Sequence, residues 1–284
     1  MVGNVKIVKS NGETVNFRKD KIFKSCVRAG ASPELCSKIA DCVESKVYDG
    51  MQTHEILSII HSMLDEEDKT SGMRYVLRDA IFQLDSVNYE FEFFVSRLLR
   101  YDGYETVRSP EPKVCGRCVD HEIDVVAKKG DEIAIIECKH HYRDHTMTGL
   151  DVPMRQWARL EDITAGHSMR CRNSINATSA WIITNTKYSE HAVRYAKCKN
   201  VRLMGWNYPE GKGLSALIEK YRAYPLTLVK LTHEERERLI PKKIFNVLDF
   251  RDADDFVLKR CGFEMRRIIR IKNLIERLIN SRVE

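Results

Sequence analysis

Asp124, Glu137 and Lys139 sit in two apolar runs, Ile123 to Ala127 and Ile133 to Lys139, separated by a charged turn. Two carboxylates and an amine in that setting suit one kind of chemistry. Mg²⁺ is a hard cation, usually held by one or two carboxylates, waters and phosphate oxygens. A cation so held activates water and neutralises charge growing on a phosphodiester. An adjacent ammonium can position that water or steady the same charge. A lone Glu-x-Lys tripeptide is far more often a surface ion pair. Here Ile133 to Ile136 are all apolar, which predicts a central strand. Charges ending a central strand are costly unless paired or used.

The two runs are β-rich and bounded by turn residues, so they predict a hairpin turning at Lys128, Lys129, Gly130 and Asp131. Side chains alternate along a strand, so Glu137 and Lys139 share one face. A loop of four or six residues pairs Asp124 with Ile135 or directly with Glu137. Either register brings Asp124 to the face of Glu137 and Lys139. The opposite register would bury charges and expose the apolar set.

Asp124 followed by Glu137-x-Lys139 resembles the PD-(D/E)xK nuclease motif. Gly116-Arg-Cys-Val-Asp-His-Glu-Ile-Asp124 and Glu137-Cys-Lys-His140 resemble the Mrr-like branch of restriction endonucleases, with Ile123 where the family carries proline. The resemblance implies Mg²⁺ (or Mn²⁺) on Asp124 and Glu137, with Lys139 assisting DNA hydrolysis. Phe91-Glu92, Leu98-Leu99 and Gly103-Tyr104 resemble the family's first helix, whose glutamate often faces the metal; that implies a role for Glu92. Gln156, on a helix predicted over Asp151 to Ile163, matches a family glutamine that helps hold the site. Arg155 and Arg159 beside it are candidates for DNA-backbone contact. Thr184-Asn-Thr, then a helix with Ala192 and Tyr195-Ala196, carries the resemblance further.

Cys115-Gly-Arg-Cys118 has the spacing of half a structural zinc site. Cys138, His140, His141 and His145 supply no clean second pair, so it reads as a loop with two thiols. His121 and His140 are expected at the site rim or at phosphate.

The first segment opens with a predicted hairpin, Val5 to Val8 and Thr14 to Phe17, turned by Ser10-Asn11-Gly12. Helical stretches follow over Lys21 to Ala29, Pro33 to Val47, Thr53 to Leu64 and Gly72 to Leu84, with Ser32 and Thr53 as caps. Val8-Lys9-Ser10-Asn11-Gly12, Phe17-Arg-Lys-Asp-Lys21-Ile22, Asp49-Gly50 with Thr53, and Tyr75-Val-Leu-Arg78 resemble the ATP-cone, a nucleotide-binding regulatory domain. Lys-Ser-Asn-Gly stands where the family has Lys-Arg-Asp-Gly. The resemblance implies ATP or dATP as a regulatory ligand, near Lys9, Gly12, Lys21 and Thr53, and a nucleotide-dependent homo-oligomer. No Gly-x₄-Gly-Lys-Ser/Thr phosphate loop is present, so binding without turnover is expected.

The expected fold is α/β. A hairpin-plus-helical-bundle ATP-cone (1–86) precedes a restriction-endonuclease-like mixed sheet flanked by helices (87–207), with strands over Ser179 to Thr184 and Val201 to Met204. A basic helical tail (208–284) follows. It has 17 Lys plus Arg against 12 Asp plus Glu, so it carries +5 of the chain's net +6. Its last helix, Met265 to Ile279, turns Ile268, Ile271, Ile275 and Leu278 inward and surrounds them with arginines. Such a helix can contact phosphates without reading sequence. The alternatives for it are packing or dimerisation.

With 43% hydrophobic and 31% charged residues among 284, the chain is composed like soluble globular domains. No apolar run approaches the roughly 20 residues of a membrane helix. An N-terminus without an apolar signal region and nine scattered cysteines predict a cytoplasmic protein with reduced thiols. Two functional readings follow: a metal-dependent DNA endonuclease controlled by ATP or dATP, or a nucleotide-sensing DNA-binding regulator without nuclease activity. The intact Asp124, Glu137 and Lys139 set favours the first.

Overall fold

The computed structural model describes residues 5–85, 89–109, 113–143 and 145–281. They fall into two compact units, residues 5–79 with 269–281, and residues 80–268. The tail expected as one region from 208 onward is therefore divided at Ile269.

In the first unit, β1 (Lys6–Val8) and β2 (Thr14–Asn16) form an antiparallel hairpin with Ile7 opposite Val15. Gly12 closes its turn at φ +82°, a conformation glycine adopts without a Cβ penalty. Helices α1 (Lys19–Arg28), α2 (Pro33–Lys46), α3 (Thr53–Glu67) and α4 (Lys69–Tyr75) follow. Ser32 caps α2 as expected, accepting from the Leu35 amide at 3.3 Å. The cap of α3 is Gln52, not Thr53, with Glu55 reciprocating on the Gln52 amide. Thr53 instead donates its hydroxyl to the Val8 carbonyl at 2.8 Å, tying the helix start to the hairpin. The helix expected over Gly72 to Leu84 is two pieces, α4 and α5 (Leu77–Phe82), broken at Val76. Ile7, Cys26, Ile39, Val43, Ile56, Ile60 and Leu64 form the core. Arg74, only 5% exposed, donates to the carbonyls of Ala29, Leu278 and Ser281, and to the Ser281 hydroxyl.

The second unit begins with α6 (Glu90–Tyr101), which Gly103 ends at φ +88°. Next come β3 (Glu105–Arg108), β4 (Val114–Cys115), β5 (Asp120–His121), β6 (Val125–Lys129), β7 (Glu132–Lys139) and β8 (Met147–Thr148). Then α7 (Asp151–Ser168), β9 (Ser179–Thr184), β10 (Lys187–Tyr188), α8 (Glu190–Cys198) and β11 (Val201–Met204) alternate. Helices α9 (Leu214–Tyr221), α10 (His233–Leu239), α11 (Val247–Asp252) and α12 (Asp255–Arg260) close the unit, and α13 (Met265–Asn280) begins in it. The sheet runs β11-β9-β7-β6-β3. β7, β9 and β11 are parallel, joined through α7 and α8; β6 and β3 are antiparallel additions. This is the mixed sheet that strand and helix alternation predicts. β7 is central, and Ala134, Ile135 and Ile136 are wholly buried. One face packs Ile135, Ile182 and Leu203 against Val152 and Ile163 of α7 and Ala192 and Ala196 of α8. α6 packs against β3, β6 and β7.

The β6–β7 turn is shorter than expected. Pairing runs from Val125↔Ile136 out to Lys129↔Glu132, leaving only Gly130 and Asp131 in the turn. Gly130 takes φ +58°, which suits the first position of a two-residue hairpin turn. Lys128 and Lys129 belong to the strand. Lys129 is held there by its ammonium, which donates to the Asp102 carbonyl at 2.6 Å and lies over the Tyr104 ring. Among the described residues no helix is long and apolar enough to cross a membrane.

Candidate active site

Asp124 immediately precedes β6. Continuing the ladder one step beyond Val125↔Ile136 sets it opposite Glu137, the second of the two expected registers. Its backbone carbonyl accepts from the Ser109 amide at 2.8 Å, and its Oδ2 accepts from the Cys138 amide at 2.7 Å. The carboxylate is thus fixed across the end of the hairpin. Burial, then repulsion from Glu137, raises its pKa to about 6.

α6 brings a third carboxylate. Glu92 sits beside the apolar stripe of Phe91, Phe94, Val95 and Leu98 and turns inward. Burial first, then Asp124, lifts its pKa to about 7. Arg108 of β3 donates to its Oε2 at 3.3 Å. Glu92, Asp124 and Glu137 therefore share one electrostatic neighbourhood. Burial mainly, and then these three carboxylates, push the Cys138 thiol well above its ordinary range.

Glu137 Oε2 accepts from Arg159 of α7 at 2.7 Å. The same guanidinium donates to Gln156 Oε1 at 3.1 Å. Gln156, 1% exposed, donates its amide to the carbonyls of Ile135 at 2.9 Å and Trp181 at 3.3 Å. Gln156 is thereby bolted to two neighbouring strands and aims Arg159 at Glu137. Arg159, a candidate for contact with the DNA backbone, has its guanidinium engaged with Glu137. Gln156 and Arg159 lie three residues apart and so share a helix face, the signal that could have found this pair. Arg155 pairs with Asp151 at 3.6 Å on the exposed side.

Two histidines depart from expectation. His121 meets Asp162 of α7 at 2.8 Å, and Asp162 also accepts from the Cys118 amide at 2.9 Å. These contacts hold the pKa of Asp162 down at about 2, the His121 bond being the largest cause. His121 therefore ties β5 to α7. The His140 ring bonds the Ile81 carbonyl at 2.9 Å and packs on Phe91 and Tyr142. All nine cysteines are free. Among the described residues no three His, Cys, Asp or Glu side chains gather to hold a metal ion. The donors of the Asp124–Glu137 pair are carboxylate oxygens, which fit a hard divalent cation whose shell is completed by water and phosphate. Three clustered protein ligands are not required for that.

In the first unit, Lys9 pairs with Glu13 at 2.8 Å, and Gly12 donates its amide to the Lys9 carbonyl at 2.9 Å. Lys21 is exposed on α1 and near enough to Glu13 to help lower its pKa, after the larger effect of Lys9. Thr53 lies on the adjoining helix start, its hydroxyl on Val8.

The restriction endonuclease family matches residues 85–208, and the ATP cone domain family matches residues 5–78. An uncharacterized protein of Archaeoglobus fulgidus is 35% identical over 173 residues, covering 61% of this chain and 92% of that protein. The chain contains a restriction endonuclease family domain. An ATP cone domain precedes its endonuclease domain. A crystal structure of a protein of unknown function superposes on it with a TM-score of 0.58 at 32% identity, covering 69% of this chain and all of that one. The endonuclease match spans α6 to β11, the stretch that carries Glu92, Asp124, Glu137, Lys139 and Gln156.

The raised carboxyls of this endonuclease domain have a consequence for stability. A folded pKa above the unfolded value means that the folded state holds a proton the unfolded chain has released. For Glu92 that window runs from about 4.5 to about 7. Stability falls as pH rises through it, and the penalty is fully present above 7. Glu92→Gln is expected to raise Tm relative to wild type at pH 8 and to leave it nearly unchanged at pH 4. Thermal melts in EDTA at the two pH values check this, and an equal shift at both would contradict it.

Proposed function

We propose that this chain is a divalent-metal-dependent DNA endonuclease whose activity or assembly is controlled by ATP or dATP on the ATP cone. The observation that carries the reading is the Asp124–Glu137 pair at the end of the central strands, with Lys139 two residues on. Asp124 and Glu137 would hold Mg²⁺ or Mn²⁺, which supplies water activation and charge neutralisation when bound. Asp124 is oriented for this by the Cys138 amide, and Glu137 by Arg159. Gln156 keeps that arginine in line. The Lys139 ammonium would meet the charge that develops on the phosphate as the scissile bond breaks. Glu92, with its pKa near 7, would keep a proton available at neutral pH and limit the negative charge around Asp124.

Lys9, Gly12, Lys21 and Thr53 are the proposed contacts for the nucleotide triphosphate, whose phosphates would replace Glu13 on Lys9. Nucleotide would act by changing the oligomeric state of a cytoplasmic homo-oligomer. The basic helices after residue 208 would add contacts to the DNA backbone.

The test is cleavage of supercoiled plasmid with Mg²⁺ or Mn²⁺, with and without ATP and dATP. Metal-dependent nicking is expected, changed several-fold by nucleotide. DNA binding with no cleavage under any condition would favour the nucleotide-sensing regulator instead.

A further inference from the structure

The backbone leaving Lys139 is gripped by side chains to which the catalytic reading gives no role. β7 ends at Lys139, which pairs with Thr184 of β9. Beyond that point the ladder cannot satisfy the chain. Asn185, fully buried, does so: its Oδ1 accepts from the His141 amide at 2.9 Å and its Nδ2 donates to the His141 carbonyl at 2.7 Å. Thr184, also fully buried, donates its hydroxyl to the Lys139 carbonyl at 2.7 Å.

The hydroxyls beside this carbonyl form one connected cluster. A carbonyl only accepts, so Thr184 donates to Lys139. Thr148, 1% exposed, donates to Thr184 at 3.4 Å, and Thr186 meets the same hydroxyl at 3.3 Å. His141 Nε2 lies 3.1 Å from the Thr148 hydroxyl and donates to it in the tautomer protonated at that nitrogen. Hydrogen bonds thus connect the His141 ring to the carbonyl of Lys139. The closed path His141–Thr148–Thr184–Lys139 fixes both flanks of the peptide that follows the lysine. Buried polar networks of this kind, fully satisfied, hold one geometry.

We propose that Thr184 and Asn185 are positioning residues for Lys139, holding its carbonyl and both backbone groups of His141 so that the amine stands beside the Asp124–Glu137 pair. The inference rests on the nuclease reading. A slack backbone here would let the amine wander by about an ångström, enough to cost up to about 10²-fold in rate.

The experiment is single-turnover cleavage of plasmid DNA with saturating Mn²⁺, comparing wild type with Thr184→Val, Thr184→Ser and Asn185→Ala. The rate constant is expected to fall about 10- to 100-fold for the valine and alanine variants, with half-saturating DNA within about twofold of wild type. Thr184→Ser, which keeps the hydroxyl, is expected to recover most of the rate. The same changes are then made in a Lys139→Gln background, or in Lys139→Arg if glutamine is too slow to follow. A group acting through Lys139 loses nothing further there, whereas a merely structural one loses the same factor again. Should Asn185→Ala not fold, Asn185→Asp keeps the acceptor for the His141 amide and sets a carboxylate oxygen against the His141 carbonyl in place of the donor. Additive losses, or wild-type rates in a folded Thr184→Val, overturn the proposal while leaving the nuclease reading standing. A wild type that cuts no DNA overturns both.

Discussion

Replacing Glu137 with alanine is expected to lower DNA cleavage by about 10³-fold or more while the protein stays folded. The size follows from what the carboxylate would do. Holding a cation against developing phosphate charge is worth several kcal/mol, and each 1.4 kcal/mol is about tenfold in rate. The fold should survive because the substitution leaves no orphan. Arg159 keeps the Gln156 oxygen at 3.1 Å, and Gln156 keeps its two strand carbonyls. Thermal melts with and without Mn²⁺ give a second readout. A cation that binds only the folded state raises Tm by mass action. That rise is expected in wild type and absent in Glu137→Ala. Cleavage at the wild-type rate by the variant would remove Glu137 from the mechanism.

The second large effect lies in the first unit. Arg74→Ala is expected to destabilise that unit by about 2–4 kcal/mol, since hydrogen bonds from a charged donor are worth about 1.5–3 kcal/mol and unpaired buried acceptors add their own penalty. The guanidinium serves Ala29 at the end of α1 and Leu278 and Ser281 at the end of α13. Removing it strands carbonyls at two helix ends at once. Hydrogen exchange should quicken in peptides covering 25–31 and 270–281 and not in those covering β7 and β9. Arg74→Lys should rescue little, because a single ammonium cannot reach partners spread across a planar fork. Unchanged exchange in both peptides would refute the tie.

The central features of the candidate site were legible because they are local. An apolar run ending in Glu-x-Lys, a glycine-bearing turn and strict alternation along strands leave few registers, and the structure adopts one of them, in which Val125 pairs with Ile136, the neighbours of Asp124 and Glu137. β9 and β11 have the bounds their apolar runs announce. Helix α6 ends where Gly103 permits a left-handed residue. What could not be read depends on partners distant in sequence. Lys128 and Lys129 look like turn residues, yet Lys129 stays in a strand because the Asp102 carbonyl and the Tyr104 ring receive it. β3 is four residues long, with only Thr106 buried, so it carries almost no periodic signal. Nearness to the motif suggests the site rim or a phosphate for His121 and His140. Asp162 and the Ile81 carbonyl, which hold them, lie 41 and 59 residues away. The engagement of Arg159 by Glu137 was likewise invisible until α7 was laid against β7.

The division of the chain at Asp79 and again at Ile269 makes the endonuclease unit an insertion, carried between two segments of its host. Such a protein has two covalent joints where a tandem fusion has one. A single proteolytic nick at either joint leaves both pieces attached, and only a double cut frees the insert. If the insert melts, the host must close a loop of roughly 190 residues, an entropic cost of about 4–5 kcal/mol. Heat or denaturant that opens the endonuclease should therefore loosen the nucleotide-binding unit, whereas an ordinary tandem linker would let it survive alone.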